Sequence, residues 1–277
     1  MYLTHWALKH RPFSNEPDTR FFYHSATHDA ALAELLYATD DSRGAALLVG
    51  PFGSGKSLLL RALLAGLPEE RFVTGRITNA LMSPPEVILS CARALGTEGL
   101  PESAAEVSES FAQHRLESRL EAIAAGGTKA LLAIDDAHVI ENPQAWEALR
   151  LVLSIWGQER NSLTVVLAGH NRLLERTEAA PGFDERVTVR TALVPLSQEE
   201  VLEYILHRMA RAGSATGVFT REAAVEVARR SRGLPAHINQ LADLSLAAAY
   251  GMGMKAVGPG VVEMVAEELE TAGTADA

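Results

Sequence analysis

The run Gly50-Pro51-Phe52-Gly53-Ser54-Gly55-Lys56-Ser57 fits the spacing G-x-x-x-x-G-K-[ST] at every fixed position, with a further glycine inside it. Glycines so placed let consecutive backbone N–H groups turn inward around phosphate oxygens, and a helix that follows offers its positive end. Lys56 would then reach the β- and γ-phosphates and the Ser57 hydroxyl would ligate Mg²⁺, with Leu58 carrying the chain into the helix. An apolar run at 45–49 leads into the loop and a helical stretch leaves it, which is the context this chemistry needs. The chain is predicted to bind a nucleotide here.

Such a site needs a carboxylate at the end of another buried strand. Ala130-Leu131-Leu132-Ala133-Ile134 runs into Asp135-Asp136. Asp135 would hold Mg²⁺ through water, and Asp136 would orient and activate the attacking water, the pattern of a hydrolase. Read alone, the pair is as readily two solvated acids in a turn; the phosphate loop tips the reading toward catalysis. His138, His170 and His237 carry no signal singly. His170 has the better claim, because it follows the run 163–168 and Gly169, and residues just past strand carboxyl ends line the ligand crevice of a parallel sheet. Trp6, Trp146 and Trp156 do not cluster in sequence and read as core, and Cys91 lies in an apolar helical stretch and reads as inert.

The elements that must carry these residues alternate. Strand-like runs fall at 45–49, 72–77, 130–134, 163–168 and 187–193, with helical stretches at 56–67, 84–95, 104–125, 144–155 and 172–178 between them. Alternation of this kind predicts an α/β fold, a parallel sheet with helices on both faces. Strand signals stop at the Pro195-Leu196-Ser197 turn. Beyond it Val201, Leu202, Ile205, Leu206 and Met209 recur at helical spacing, with Ser197 and Glu200 as a capping box, and further helices are expected at 221–230, 235–250 and 259–269. Two domains are expected: an α/β nucleotide-binding domain over 1–196 and an α-helical domain over 197–277.

Composition bounds the function. The 277 residues are 47% apolar, enough for a core. The longest uncharged apolar stretch, 244–254, is too short for a membrane span, which needs about 20 residues. No leader-like start and a single cysteine point to a cytoplasmic chain with no internal disulfide. The formal charge of −10 argues against wholesale nucleic-acid binding. The segment 172–232 is the exception, with ten arginines against nine acids, while the whole chain has only four lysines. A preference for Arg is the plain reading; arginines facing a phosphate or a neighbouring subunit is the sharper one.

Together these residues resemble an AAA+ ATPase, and more closely the ExeA/general secretion pathway protein A group. Met1-Tyr2, Pro12-Phe13-Ser14, Pro17-Asp18-Thr19-Arg20-Phe21-Phe22-Tyr23 and Ser25-Ala26-Thr27-His28-Asp29-Ala30-Ala31-Leu32 are similar to that group's opening. Phe183-Asp184-Glu185-Arg186-Val187 and Gly233-Leu234-Pro235-Ala236-His237-Ile238-Asn239 sit where its later motifs would. The resemblance covers the chain from Met1 to about Leu269. It implies a P-loop NTPase (AAA+) fold with a C-terminal helical lid, ATP and Mg²⁺ as cofactors, and homo-oligomers in a ring or filament. Arg186 would be the arginine finger reaching a neighbour's γ-phosphate, His170 the polar sensor, and the segment around Pro12 and Phe13 the part that closes over adenine.

A protein partner in secretion or pilus assembly, with a place peripheral to the inner membrane, is the associated expectation; DNA is a possible but less favoured partner, as in transposition helpers. Three departures stand out. Asp136 replaces the group's Glu, Ala236 replaces the Arg of its Gly-Ile-Pro-Arg lid motif, and no counterpart of the longer members' membrane and peptidoglycan-binding segments is expected in these residues. The first two predict slow hydrolysis, or a nucleotide-gated scaffold.

Overall fold

The computed structural model describes residues 2–40, 44–78, 83–101, 107–154, 156, 162–214 and 217–275. The expected start of the helix at 104–106 and the end of another at Ile155 lie outside them. By its contacts the chain forms two compact units, one of residues 27–52 and 59–193, the other of 1–26, 53–58 and 194–277.

The first unit is built on a five-stranded sheet of β1 (Gly44–Val49), β2 (Phe72–Ile77), β3 (Lys129–Ile134), β4 (Leu163–Gly169) and β5 (Val187–Ala192), in the order β2-β3-β4-β1-β5. All four pairings are parallel. Every residue of β1 and β4 is buried, as is all of β3 after Lys129. Strands covered on both faces read as continuous apolar runs rather than alternating ones, which is why these three stood out in the sequence. After α1 (Tyr2–His5), the helices follow in chain order as α2 (Ala26–Asp40), α3 (Lys56–Gly66), α4 (Pro84–Ala94), α5 (Glu109–Ala125), α6 (Pro143–Leu153), α7 (Arg172–Glu178) and α8 (Pro181–Asp184). The α4 start is secured by a capping box, Ser83 N–H donating 2.7 Å to Glu86 Oε2. The core of this unit gathers Leu47, Leu132, Leu167, Leu116, Trp146 and Phe183 with their neighbours. Cys91 is part of it, and burial pushes its thiol up to about 12, so it stays protonated.

The second unit holds α9 (Gln198–Arg211), α10 (Arg221–Ser231), α11 (Pro235–Gly251) and α12 (Pro259–Ala275), together with the chain's first 26 residues. The capping box at α9 is formed as the sequence suggested, with Glu200 N–H donating 3.2 Å to Ser197 Oγ. The buried face of α9 is rotated from the expected one. Val201, Tyr204, Ile205, Arg208 and Met209 face inward, whereas Leu206 is 53% exposed. Leu202 is half-buried against the same core, and it is Leu206 that gives way to Tyr204 and Arg208, the latter with polar partners in the N-terminal segment.

The α10–α11 junction is tight. Gly233 has φ +72°, and a Cβ there would stand 2.1 Å from the Leu196 carbonyl oxygen. Only glycine accommodates both demands. Gly233→Ala should lower the stability of this unit by about 2–4 kcal/mol. The readout is the urea midpoint of Trp6 emission in a Trp146→Phe, Trp156→Phe background. Gly253, at φ +68° in open space, supplies the control, since its change to Ala carries only backbone strain, about 1 kcal/mol. Equal losses at the two positions would remove the Leu196 contact from the explanation.

Candidate functional site

Register decides where the chemistry collects. Leu47 on β1 pairs with Leu167 on β4, and Leu167 with Ile134 on β3. Gly50, Asp135 and His170 therefore leave the sheet at the same carboxyl-terminal edge. Of the phosphate-loop residues, Gly50, Pro51 and Phe52 belong to the sheet unit, and Gly53, Ser54, Gly55, Lys56, Ser57 and Leu58 to the helical one. Gly53 and Gly55 adopt φ +75° and +98°, the left-handed conformations that let successive N–H groups share one concavity. Lys56 opens α3 and is buried at 7% exposure.

Asp135 is 4% exposed and extends the β2–β3 ladder, its N–H donating 2.9 Å to the Ile77 carbonyl. Its Oδ1 accepts the Asp136 N–H at 3.1 Å and its Oδ2 accepts Arg76 Nη2 at 2.7 Å. A carboxylate oxygen has two lone pairs, so each retains capacity for a metal-bound water. Hydroxyl and carboxylate oxygens are the hard donors Mg²⁺ prefers, and the Ser57 hydroxyl and the Asp135 carboxylate are each of that chemistry. Among the described residues no group of three or more His, Cys, Asp or Glu side chains could hold a metal by itself.

Asp136 sits at φ +51°, ψ +32°, a left-handed residue that is not glycine. Asp tolerates this conformation better than most residues, and it turns the carboxylate outward, 57% exposed, with His138 Nδ1 3.9 Å away. His170 follows Gly169 as expected. Its ring stacks on Phe52, centroids 5.0 Å apart and planes 18° from parallel, and Phe52 meets His138 edge-on at 5.6 Å. Phe52, Asp136, His138 and His170 thus share one neighbourhood; Phe52 was expected at the site as part of the phosphate-loop motif, and His138 is the member no motif singled out.

Arg186 is turned onto its own chain. Its Nη2 donates 3.1 Å to Ser154 Oγ, and its Nε is buried with no hydrogen bond among the described residues. Asp184 is taken by Arg190 at 2.7 Å instead. Phe13 also has a structural post, 3% exposed and edge-on to Phe219 at 5.8 Å. What the Pro12–Ser14 stretch offers is backbone: Arg208 donates from Nε to the Pro12 carbonyl at 2.5 Å and from Nη2 to that of Ser14 at 3.0 Å.

Arg208 begins a relay through the helical unit. Its Nη1 donates 2.7 Å to the Tyr204 hydroxyl, which donates 2.9 Å to Asn239 Oδ1. Burial pushes the Tyr204 phenol up, keeping it a donor. Asn239 Nδ2 donates 2.8 Å to Asn15 Oδ1, Asn15 Nδ2 donates 3.4 Å to the Ala236 carbonyl, and Ala236 N–H donates 3.1 Å to the carbonyl of Gly53. The lid motif thus meets the phosphate loop backbone to backbone, with the Ala236 methyl 2.6 Å from where a Gly53 Cβ would stand.

Of the ten arginines in 172–232, six are engaged by partners among the described residues. Besides Arg186, Arg190 and Arg208 these are Arg176 with Glu141, and Arg229 and Arg230 with Glu226. No helix among the described residues is long and apolar enough to cross a membrane.

Comparison with known proteins agrees with this geometry. A family model described as AAA domain matches residues 39–177. General secretion pathway protein A of Aeromonas hydrophila is 29% identical over 272 residues, 97% of this chain and 48% of that protein, so the chain spans about half the length of the curated relative it matches. Among solved structures, Cdc6p from Pyrobaculum aerophilum superposes with a TM-score of 0.71 at 20% identity, over 93% of this chain and 70% of its own. The Aeropyrum pernix ORC2 protein, in ADPNP–ADP complexes, gives 0.70 at 14% identity, over 94% and 72%. These two likenesses concern the fold. With the family model spanning half of its residues, from the end of α2 through the phosphate loop and β4 to α7, the chain belongs to the AAA domain family of P-loop proteins.

Proposed function

We propose that the chain binds ATP with Mg²⁺, hydrolyses it slowly, and uses the cycle to drive assembly of its own subunits with a partner complex. The observation that carries this reading is a glycine-turned phosphate loop at the end of β1, with the buried Asp135 emerging at the same sheet edge from β3. Lys56 and the loop N–H groups would bind the phosphates, and Ser57 with Asp135 would hold Mg²⁺. Mg²⁺ when bound supplies neutralisation of the phosphate oxygens. Asp136 would take the proton of the water that attacks the γ-phosphorus as the bond to the ADP oxygen breaks. His170 and Phe52 would keep that water's side of the edge ordered, and Arg186 would serve a neighbouring subunit's γ-phosphate once released from Ser154. A partner in secretion is the reading that the likeness to General secretion pathway protein A supports. A DNA partner has less support, because most of the arginines that suggested it are already held within the chain.

Lys56→Ala should weaken ATP binding roughly 10- to 100-fold, the value of one charge-assisted contact, without altering the circular dichroism spectrum. An affinity within threefold of the parent would remove Lys56 from the site.

Asp136 is one methylene shorter than Glu, and a positioning shortfall of about 1 Å can cost about 10²-fold in rate. Asp136→Asn should block residual phosphate release and trap the ATP-bound assembly, visible by light scattering. Asp136→Glu should raise turnover. A parent that is brisk without a partner, and slowed by Asp136→Glu, would show a geometry adapted to Asp and defeat the slow-cycle reading.

Arg186→Ala should leave ATP binding by the isolated subunit within threefold and cut turnover by about 10³-fold or more. The parent's specific activity should rise with protein concentration. Unchanged turnover at saturating protein would leave Arg186 with only its Ser154 contact.

A further inference from the structure

β2 carries one charged residue, Arg76, in the stretch Phe72-Val73-Thr74-Gly75-Arg76-Ile77. It stands opposite Ala133 in the parallel register of β2 with β3. Side chains alternate faces along a strand, so Arg76, Ala133 and Asp135 project to one side, and a long side chain at 76 can reach the residue beyond its direct partner. It does so: Nη2 lies 2.7 Å from Asp135 Oδ2, with side-chain exposures of 21% and 5%. Among the described residues the Arg76 Nε, which is buried, makes no hydrogen bond, and Asp135 is the acid the guanidinium meets. A buried carboxylate is costly without a counter-charge, and a guanidinium held chiefly through one oxygen is a counter-charge that can let go.

We infer that Arg76 is the resident counter-cation of the metal carboxylate, balancing Asp135 when nucleotide is absent and yielding Oδ2 when a metal–nucleotide complex enters. This rests on the proposed role of Asp135 toward Mg²⁺. The protein then has little use for Mg²⁺ by itself. Nucleotide, bringing its own phosphate charge, is needed to tip the carboxylate from the guanidinium to the hydrated ion. Arg76 is in this sense a positioning residue, and it sets the order of entry.

The test measures the affinity of a fluorescent ADP analogue in EDTA and in MgCl₂, and takes the ratio of the dissociation constant in EDTA to that in MgCl₂. Arg76→Gln should raise that ratio about tenfold, equivalent to about 1.4 kcal/mol. Arg76→Lys keeps the charge but loses reach and fork, so its ratio should fall between parent and Gln, and this variant carries the test if Arg76→Gln does not fold. A second readout needs no nucleotide. The melting temperature of Arg76→Gln should fall by roughly 6 °C or more, and 10 mM MgCl₂ should restore at least half of it, while the parent shifts by less than about 1 °C. Ratios that do not rise in either variant, or a Mg²⁺ shift equal in parent and variant, would overturn the inference. Asp135→Asn separates the two failures. If it leaves the parent's Mg²⁺ dependence of nucleotide binding intact, the role of Asp135 itself is wrong. If it abolishes that dependence while the Arg76 variants match the parent, only the counter-cation role falls.

Discussion

The parallel pairing of β1 with β4 and of β4 with β3 is the contact on which the rest of the molecule depends. These three strands are buried on both faces, so no charged side chain can be placed along them without a partner. Polar groups are driven to where the strands end. Because the register aligns Leu47, Leu167 and Ile134, the ends coincide, and the phosphate loop, the acidic pair and His170 emerge together. The site is thus a by-product of sheet energetics. The same argument explains why Arg76 is on β2, an edge strand with one neighbour, rather than on a central one.

What was legible in the sequence follows from how local each signal is. The strands were expected to within about one residue of where they lie, since a run such as Leu163-Thr164-Val165-Val166-Leu167-Ala168 admits few other readings. The phosphate loop was legible because its residues are consecutive. The Arg76–Asp135 pair was not, because 59 residues separate its members and only the β2–β3 register joins them. A lone arginine inside an otherwise strand-like run was the available signal. The helix α2 was missed because its apolar residues make no consistent stripe, and the core placement of Phe13, expected only as part of the segment that closes over adenine, was not legible because nothing in its sequence neighbours tells a core ring from an exposed one.

Arg208 shows the same limit from the other side. It lay in an arginine-rich stretch whose sharper reading was phosphate or interface contact, and it is buried beneath Phe21 and Tyr204 with carbonyl oxygens for acceptors. The deciding residues are Pro12 and Ser14, nearly two hundred positions upstream. Substitution patterns along α9 alone would not have found them.

The helical unit is not one stretch of chain, and this bears on how the protein is made. Trp6, Leu8, Phe13 and Phe21 are core residues whose partners include Leu196, Val201, Ile238 and Val261. The second group leaves the ribosome at least 175 residues after the first. At synthesis rates of about 5–20 residues per second the wait is roughly 8–35 s. During it the whole sheet unit can be translated while the opening aromatic segment has no core to enter. The nascent chain therefore carries an adhesive aromatic segment while the whole sheet unit is being translated, and early occupation by a holding chaperone, rather than faster folding of the sheet, is what would protect it.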